Sequence, residues 1–234
     1  MNHWRHDAVR GDAFEHSRLL HTWAHGTEFR MTRCRRSGRA FFDACLGLLP
    51  LWTAVQACCS RYPPRSGPLH LQADMHLVLS HRRRMKLNAL CQEAAVARYR
   101  TATPEGLVVL VQPPSDGECG LNRAQSFELF EGTRLMGANN DTNGVVNGGF
   151  LTVGGVREGD CDVTDERGDS FTLTHAQVGR STRLAWAITV TASQSREFDC
   201  SVCLWDLGSR HYTKRHLYVA MTRVKRPDTL VVVR

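Results

Sequence analysis

Short apolar runs alternate with helical patterns along much of the chain. Asp12 can cap a first helix, a second helical stretch covers about 40–59, and a third follows in RMKLNALCQEAAVARY. Five apolar runs read as strands: MHLVLS, LVVLV, LAWAITV, SVCLW and TLVVVR. Because parallel strands need long crossover connections, this alternation predicts an α/β fold with these five runs in one mostly parallel sheet.

Between about residues 126 and 178 the pattern changes to short strands separated by tight turns. These strands are TRLMGA, GFLTVGGV, CDVTD and SFTLT. Their spacing predicts a small β-barrel inserted into the α/β lobe. The chain then divides into a first part of the lobe at 1–125, the inserted barrel at 126–178 and the remainder of the lobe at 179–234.

The positive charge of the chain comes almost entirely from arginine. The 234 residues carry a formal net charge of +7, and Lys86, Lys214 and Lys225 are the only lysines. A GC-rich genome favours arginine codons, and guanidinium groups also bind phosphate in a bidentate manner. This excess of positive charge suits a polyanionic partner such as nucleic acid.

The nine cysteines do not form a recognisable zinc pattern. The only Cys-x-x-Cys pair is Cys200/Cys203, with no second pair to complete a tetrahedral site. Buried thiols in a reducing, intracellular compartment explain them, and either cytoplasm or nucleus fits. The most apolar stretch, Cys45–Cys59, is interrupted by Pro50 and is shorter than the roughly 20 residues of a membrane span, so no membrane is expected.

Two segments near the C-terminus resemble superfamily 1 helicases of the RecD and Pif types. AWAITVTASQSREFD, at 185–199, is similar to their motif V, and LYVAMTRVKR, at 217–226, is similar to motif VI. The order and separation of the two segments also fit. The resemblance implies a second RecA-like lobe, of the P-loop NTPase type, from the C-terminal half of an ATP-dependent DNA helicase.

Three further segments extend the resemblance over most of the chain. FRMTRCRRSG is similar to motif IV and puts Arg36 on the motif arginine, with Arg35 as a near competitor. HLVLSHRRRMKLN resembles the strand, basic turn and asparagine-bearing helix that follow. EGTRLMGANNDTNGVVNGGFLTV resembles the segment that opens an inserted Src-homology-3-like barrel in these enzymes.

The resemblance assigns roles in nucleotide chemistry. Arg223 and Arg36 would reach across the cleft to the charge that develops on the γ-phosphoryl group. Glu197 would accept a hydrogen bond from the nucleotide sugar, and Gln194 is the second nucleotide-binding candidate, close also to the nucleic-acid channel. A salt bridge on the helix surface is the alternative for Arg223.

Nucleic-acid contacts are assigned to Thr189, Thr191 and Asn147. Short polar side chains at a strand end can bind backbone phosphate without reading bases. The alternatives are a satisfied strand terminus for the two threonines and a plain hairpin turn at Asn147. The basic stretch His81–Arg84 can line a single strand, although a solvated turn is more usual at such a position.

The departures from the helicase pattern concern both binding and hydrolysis. Thr191 and Ala192 stand where motif V carries His-Lys, and Ser195 stands where it carries glycine. No G-x-x-x-x-G-K-(S/T) loop occurs, and an acidic Walker B strand upstream of motif IV is missing. ATP and Mg²⁺ are therefore expected only with a separate P-loop lobe, supplied in cis or in trans.

Three functions remain open from the sequence. The first is a helicase half that binds single-stranded DNA, with RNA possible, and works with an N-terminal RecA-like lobe. The second is a degenerate nucleic-acid-binding module that does not hydrolyse ATP. The third is an unrelated α/β enzyme with a cysteine or histidine nucleophile.

Overall fold

A computed structural model describes Thr22 and residues 73–113, 125–141, 143–225 and 229–233. The helices predicted at Asp12 and at 40–59, and the candidate Arg36, lie outside these residues. Among the described helices, none is both long and apolar enough to cross a membrane.

The described part of the chain alternates strands with three α-helices and one 3-10 turn. The elements are β1 Met75–Val78, α1 His81–Ala102, β2 Val109–Val111, β3 Phe127–Leu129, β4 Arg134–Gly137, β5 Phe150–Val156, β6 Asp160–Asp165, β7 Ser170–Thr174, α2 His175–Ser181, β8 Thr182–Leu184, β9 Ala187–Thr189, the 3-10 turn Thr191–Ser193, β10 Val202–Leu204, α3 Lys214–Thr222 and β11 Leu230–Val232.

Four strands form a parallel sheet in the order β11-β10-β1-β9. All residues of β1, β9 and β10 are buried, as expected for parallel strands covered on both faces. The mixed α/β fold with a parallel sheet is therefore confirmed. Four of the five predicted runs, MHLVLS, LAWAITV, SVCLW and TLVVVR, contribute to this sheet.

The fifth run, LVVLV, was wrongly assigned to the parallel sheet. Its strand β2 pairs antiparallel with β3, with Val111 opposite Phe127. Leu110 is 58% exposed while Val111 is buried. An apolar run alone does not distinguish a strand buried on both faces from one that alternates between core and solvent.

The second large sheet has five antiparallel strands in the order β7-β6-β5-β4-β8. The four short strands predicted between 126 and 178 are β4 to β7, and their inward side chains form a separate apolar core that includes Leu151, Val163 and Leu173. Strand β8 joins this sheet after α2, beyond residue 178. The Src-homology-3-like barrel and the domain boundaries stay predictions.

The side chain of Asn88 on α1 fixes the point where the chain passes from one sheet to the other. Its Nδ2 donates to the carbonyls of Leu184 at 3.1 Å and Ala187 at 3.0 Å, and its Oδ1 accepts from the Ala187 backbone N–H at 2.7 Å. One turn further along α1, Gln92 Oε1 accepts from Trp186 Nε1 at 2.6 Å. Asn88 is only 1% exposed, so these backbone groups depend on its amide rather than on water.

Replacement of this amide is expected to destabilise the fold strongly. Asn88→Ala leaves three buried backbone groups without their partner, and we expect a loss of about 3 kcal/mol in the free energy of unfolding. Urea denaturation measures the loss. The control is Asn139→Ala at an exposed position, expected to change stability by less than about 0.5 kcal/mol. Equal effects of the two substitutions would contradict the role of Asn88.

Candidate functional site

The candidate site lies at the carboxyl ends of the adjacent parallel strands β1 and β9. Val78 and Thr189 are in register there. β1 leads through Ser80, the N-cap of α1, into that helix, and β9 leads into the 3-10 turn. This edge is where open α/β sheets bind their ligands.

The segments of motifs V and VI lie side by side beyond this edge. The Phe198 N–H donates to the Arg223 carbonyl at 2.8 Å, and the Lys225 N–H donates to the Phe198 carbonyl at 3.1 Å, which makes a parallel bridge between Phe198 and Val224. The exposed Glu197 thus lies on the segment adjacent to Arg223. The two sequence-predicted nucleotide residues are brought into neighbouring positions.

Arg223 caps the C-terminal end of α3 and is held against the motif V segment. Its Nη1 donates to the Arg196 carbonyl at 3.1 Å, its Nη2 to Thr222 Oγ1 at 3.1 Å and its Nε to the Val219 carbonyl at 3.3 Å. The residue is half-buried. The guanidinium is therefore oriented by backbone and hydroxyl oxygens that carry no net charge.

Arg196 links the motif V segment to the antiparallel sheet. Its Nη2 donates to the carbonyl of Gly148, its Nη1 lies 2.7 Å from Glu166 Oε1, and its guanidinium carbon lies 4.3 Å from the centre of the Phe150 ring. The exposed Asn147 precedes Gly148, which has a φ of +79°. Asn147 thus occupies a turn, as its hairpin alternative predicts, and this turn contacts the motif V segment through Arg196.

The three polar motif V candidates differ in exposure. Thr189 is buried, and its Oγ1 accepts from the Ala192 N–H at 3.2 Å, so it is a satisfied strand terminus. Thr191 and Gln194 are exposed, and the Gln194 N–H donates to the Thr191 carbonyl at 3.2 Å. Of the three side chains, those of Thr191 and Gln194 are accessible to a ligand.

Ser195 occupies a backbone conformation that favours glycine. Its φ is +65°, in the left-handed region. The helicase pattern carries glycine at this position, so the substitution leaves the tight turn in place and adds strain to it.

Sequence reasoning missed Arg183 and considered Arg84 only as part of the basic stretch His81–Arg84. Arg84 and Arg183 line a cleft of about 330 Å³, together with His81, Thr189 and Thr191. The basic stretch His81–Arg84 was interpreted as a solvated turn, and this is wrong for Arg84, which is 3% exposed. The helical spacing could have predicted this burial, because Arg84 lies three and seven residues before the buried Leu87 and Cys91, on the same face of the helix.

The positive charges in the cleft act on one another. Burial, and then Arg183, lower the pKa of Arg84 to about 10. Burial lowers the pKa of Arg183 as well. Burial, Arg84 and Arg183, in that order, lower the pKa of His81. The charged form of each group is therefore disfavoured in the empty cleft.

The described cysteines are inert thiols. Burial raises the pKa of Cys91 and Cys161 to about 11 and that of Cys203 to about 12, and it also raises the pKa of Cys200. A nucleophilic cysteine needs a lowered pKa. Across the residues that the structure describes, no cluster of His, Cys, Asp and Glu could hold a metal ion. A cysteine-based enzyme therefore has no support in this part of the chain.

Comparison with known proteins identifies helicase relatives. Residues 184–228 match the sequence model of the UvrD-like helicase C-terminal domain. The fold is similar to that of Pif1 helicase from Candida albicans, with a TM-score of 0.58, 15% identity and coverage of 86% of this chain and 55% of that one. Pif1 helicase from Bacteroides, in complex with ADP-AlF3 and ssDNA, gives a TM-score of 0.56, 17% identity and coverage of 87% and 51%.

These findings confirm the resemblance to superfamily 1 helicases and the α/β fold class. The family match contains the whole of the motif V segment, 185–199, and of the motif VI segment, 217–226. The chain spans about half the length of the Pif1 structures that it matches. No curated protein matches the sequence.

The strained serine gives a test of the motif V turn. Ser195→Gly removes the strain of a residue with a side chain in the left-handed region, but glycine loses more conformational entropy on folding. The net effect that we expect is a gain of about 0.5 kcal/mol in the free energy of unfolding. Asp206 has a similar φ of +64°, but its carboxylate accepts from the Leu79 N–H at 3.0 Å and pairs with Arg83 at 3.1 Å. Asp206→Gly should therefore destabilise by about 1 kcal/mol. Thermal unfolding measures both, and a destabilised Ser195→Gly variant would show that the serine side chain stabilises the turn.

Proposed function

We propose that this chain is the C-terminal motor lobe of an ATP-dependent DNA helicase. It supplies an arginine finger and part of a single-strand-binding surface to a separate P-loop lobe, in cis or in trans. The observation that carries the proposal is the pairing of Phe198 with Val224, which puts Glu197 and Arg223 on neighbouring segments. The family match over residues 184–228 supports it.

The contacts of Arg223 support its proposed role as an arginine finger. A guanidinium that reaches a γ-phosphoryl group stabilises the charge of the transition state, provided that it is positioned before the reaction. The contacts of Arg223 with the Arg196 carbonyl and with Thr222 supply this positioning. Arg36 is the second proposed arginine, and Glu197 and Gln194 are the proposed contacts to the nucleotide. Mg²⁺ would enter with ATP and the P-loop lobe.

The proposed strand-binding surface consists of Thr191 and the turn at Asn147, and the buried Thr189 supports it by accepting from the Ala192 N–H. Thr191 and Asn147 are exposed, and the Arg196 side chain ties the Asn147 turn to the motif V segment. Pif1 of Bacteroides has been solved with ssDNA, which supports a single strand as the partner. RNA shares the phosphate chemistry.

The second candidate function is a nucleic-acid-binding module that does not hydrolyse ATP. The specific observation in its favour is the departure of motif V, with Thr191 and Ala192 in place of His-Lys and a strained Ser195 in place of glycine. The two functions differ in one measurable respect. A helicase half gains ATPase activity when a P-loop lobe is added, whereas a degenerate module does not.

The chain alone is expected to show no ATPase activity above background, even with single-stranded DNA, because its sequence contains no loop to hold the phosphates. Phosphate release from the purified 234-residue chain measures this. Arg223→Ala should behave like the unmodified chain. Turnover that Arg223→Ala abolishes would prove the expectation wrong.

Single strands are expected to bind weakly and with little sequence preference, since phosphate contacts carry no base information. Each contact should contribute roughly 0.7 to the slope of log K against log salt. Titration of a labelled oligonucleotide at several salt concentrations measures the slope, and binding that is absent at low salt or indifferent to salt would defeat the proposal.

A double substitution tests whether the motif V turn faces the strand. Thr191→His with Ala192→Lys restores the helicase pattern and should strengthen binding. The chain offers a matched control in Thr101→His with Ala102→Lys, which changes the same exposed dipeptide at the far end of α1. Equal effects of both pairs would show that only net charge matters.

A further inference from the structure

Arg84 and Arg183 bring two guanidinium groups into one cleft. Arg84 Nε and Arg183 Nη1 are buried and have no hydrogen-bond partner. Arg183 Nη2 donates to the sulfur of Met136, a weak acceptor, at 3.2 Å. Within the described ranges, no aspartate or glutamate lines the cleft.

Such an arrangement is costly in the empty protein. A buried charge is normally paired or hydrogen-bonded, because its desolvation is otherwise uncompensated. Here two like charges also repel, and burial together with these two charges lowers the pKa of the neighbouring His81. An oxyanion in the cleft would remove both costs by accepting from Arg84 and Arg183 together.

The remaining walls of the cleft suit a phosphate group. The cleft opens at the N-terminus of the 22-residue helix α1, whose dipole favours an anion. The exposed Thr191 also lines the cleft, and its hydroxyl can donate a hydrogen bond. Its volume of about 330 Å³ is at the small end of ligand pockets, which suits a compact anionic group.

We propose that the cleft between α1 and the motif V turn binds a phosphate group, and that Arg84 and Arg183 are its cationic ligands. The phosphate belongs to the backbone of a single strand, and this part of the proposal rests on the proposed function. A free phosphate or a nucleotide presents the same oxyanion, and the experiment separates the two sources.

The position of the two arginines accounts for the altered motif V. Thr191 and Ala192, which replace the His-Lys of the helicase pattern, line the same cleft as Arg84 and Arg183. The turn lacks the positive charge of the helicase pattern, but Arg84 on α1 and Arg183 on β8 bring positive charge to the same cleft. Neither arginine lies in motif V or motif VI, so the motifs alone do not identify them.

The first experiment measures binding of a labelled single-stranded oligonucleotide by the full chain at several salt concentrations. Arg84→Met and Arg183→Met each remove one charge-assisted hydrogen-bond donor and should weaken binding about tenfold. Each should also lower the salt slope by roughly 0.7. The control is Arg98→Met, which removes the same charge from an exposed position on the same helix and should leave binding nearly unchanged.

The second experiment measures thermal unfolding with and without pyrophosphate. Pyrophosphate should raise the melting temperature of the unmodified chain and of Arg98→Met, but not that of Arg84→Met or Arg183→Met. Without ligand, Arg84→Met should unfold at the same or a higher temperature than the unmodified chain, because it removes an unpaired buried charge. A merely structural role for Arg84 predicts the opposite, a lower melting temperature.

The outcomes separate this proposal from the proposed function. If the unmodified chain binds single strands and the cleft variants match Arg98→Met, the phosphate site is wrong and the strand-binding function stands. If pyrophosphate stabilises the chain through Arg84 and Arg183 but no strand binds, the site stands with a free phosphate or nucleotide as its source. If neither ligand acts through the two arginines, the site is wrong. Arg183→Met decides the case if Arg84→Met does not fold.

Discussion

The amide of Asn88 is the contact on which the placement of the candidate site depends. Between Leu184 and Ala187 the chain leaves the antiparallel sheet and enters the parallel one. The sheets supply partners for the Ala185 N–H and the Trp186 carbonyl, and Asn88 is the partner of the Leu184 and Ala187 carbonyls and of the Ala187 N–H. Asn88 satisfies them from α1, and Gln92 extends the same polar face to Trp186 and to the Glu128 carbonyl. Because α1 follows directly from β1, one helix sets the relative position of β1 and β9, and therefore of the edge where the ligand groups converge.

From this edge onward, the site is organised by backbone pairing and by arginine side chains. The bridge between Phe198 and Val224 sets Arg223 beside the motif V segment, and the Arg196 carbonyl receives the Arg223 guanidinium. The Arg196 side chain then contacts Gly148 in the antiparallel sheet region. A nucleotide that displaced Arg223 would remove the contact of its guanidinium with the Arg196 carbonyl. The side chain of the same Arg196 contacts the turn that contains Asn147. This is a short physical path between the proposed nucleotide and strand contacts.

The sequence predicts most of the fold because its strands are distinct apolar runs and because turn residues separate the short ones. Four of the five long apolar runs lie in the parallel sheet, and the four short strands with tight turns lie in the antiparallel one. The assignment of LVVLV to the parallel sheet was wrong because the exposure of Leu110 depends on its partner strand β3. The apolar pattern of β2 does not reveal this partner. The motif residues Glu197 and Arg223 were found through their order in the chain. The burial of Arg84 was not predicted because charge usually indicates exposure to solvent, and only its helical register with Leu87 indicates burial.

The burial of Arg84 changes what the altered motif V means for binding. A cation on a surface turn loses side-chain entropy when it contacts a phosphate, and salt screens it. A cation held in a packed helix has already lost that freedom during folding, and its desolvation is already complete before the ligand arrives. Burial, and then Arg183, lower the pKa of Arg84, which agrees with a desolvation cost in the folded protein. In the proposed phosphate site, the charge on α1 would therefore provide a preorganised phosphate contact at the expense of the stability of the free chain, and the change to Thr191 and Ala192 would be compatible with nucleic-acid binding.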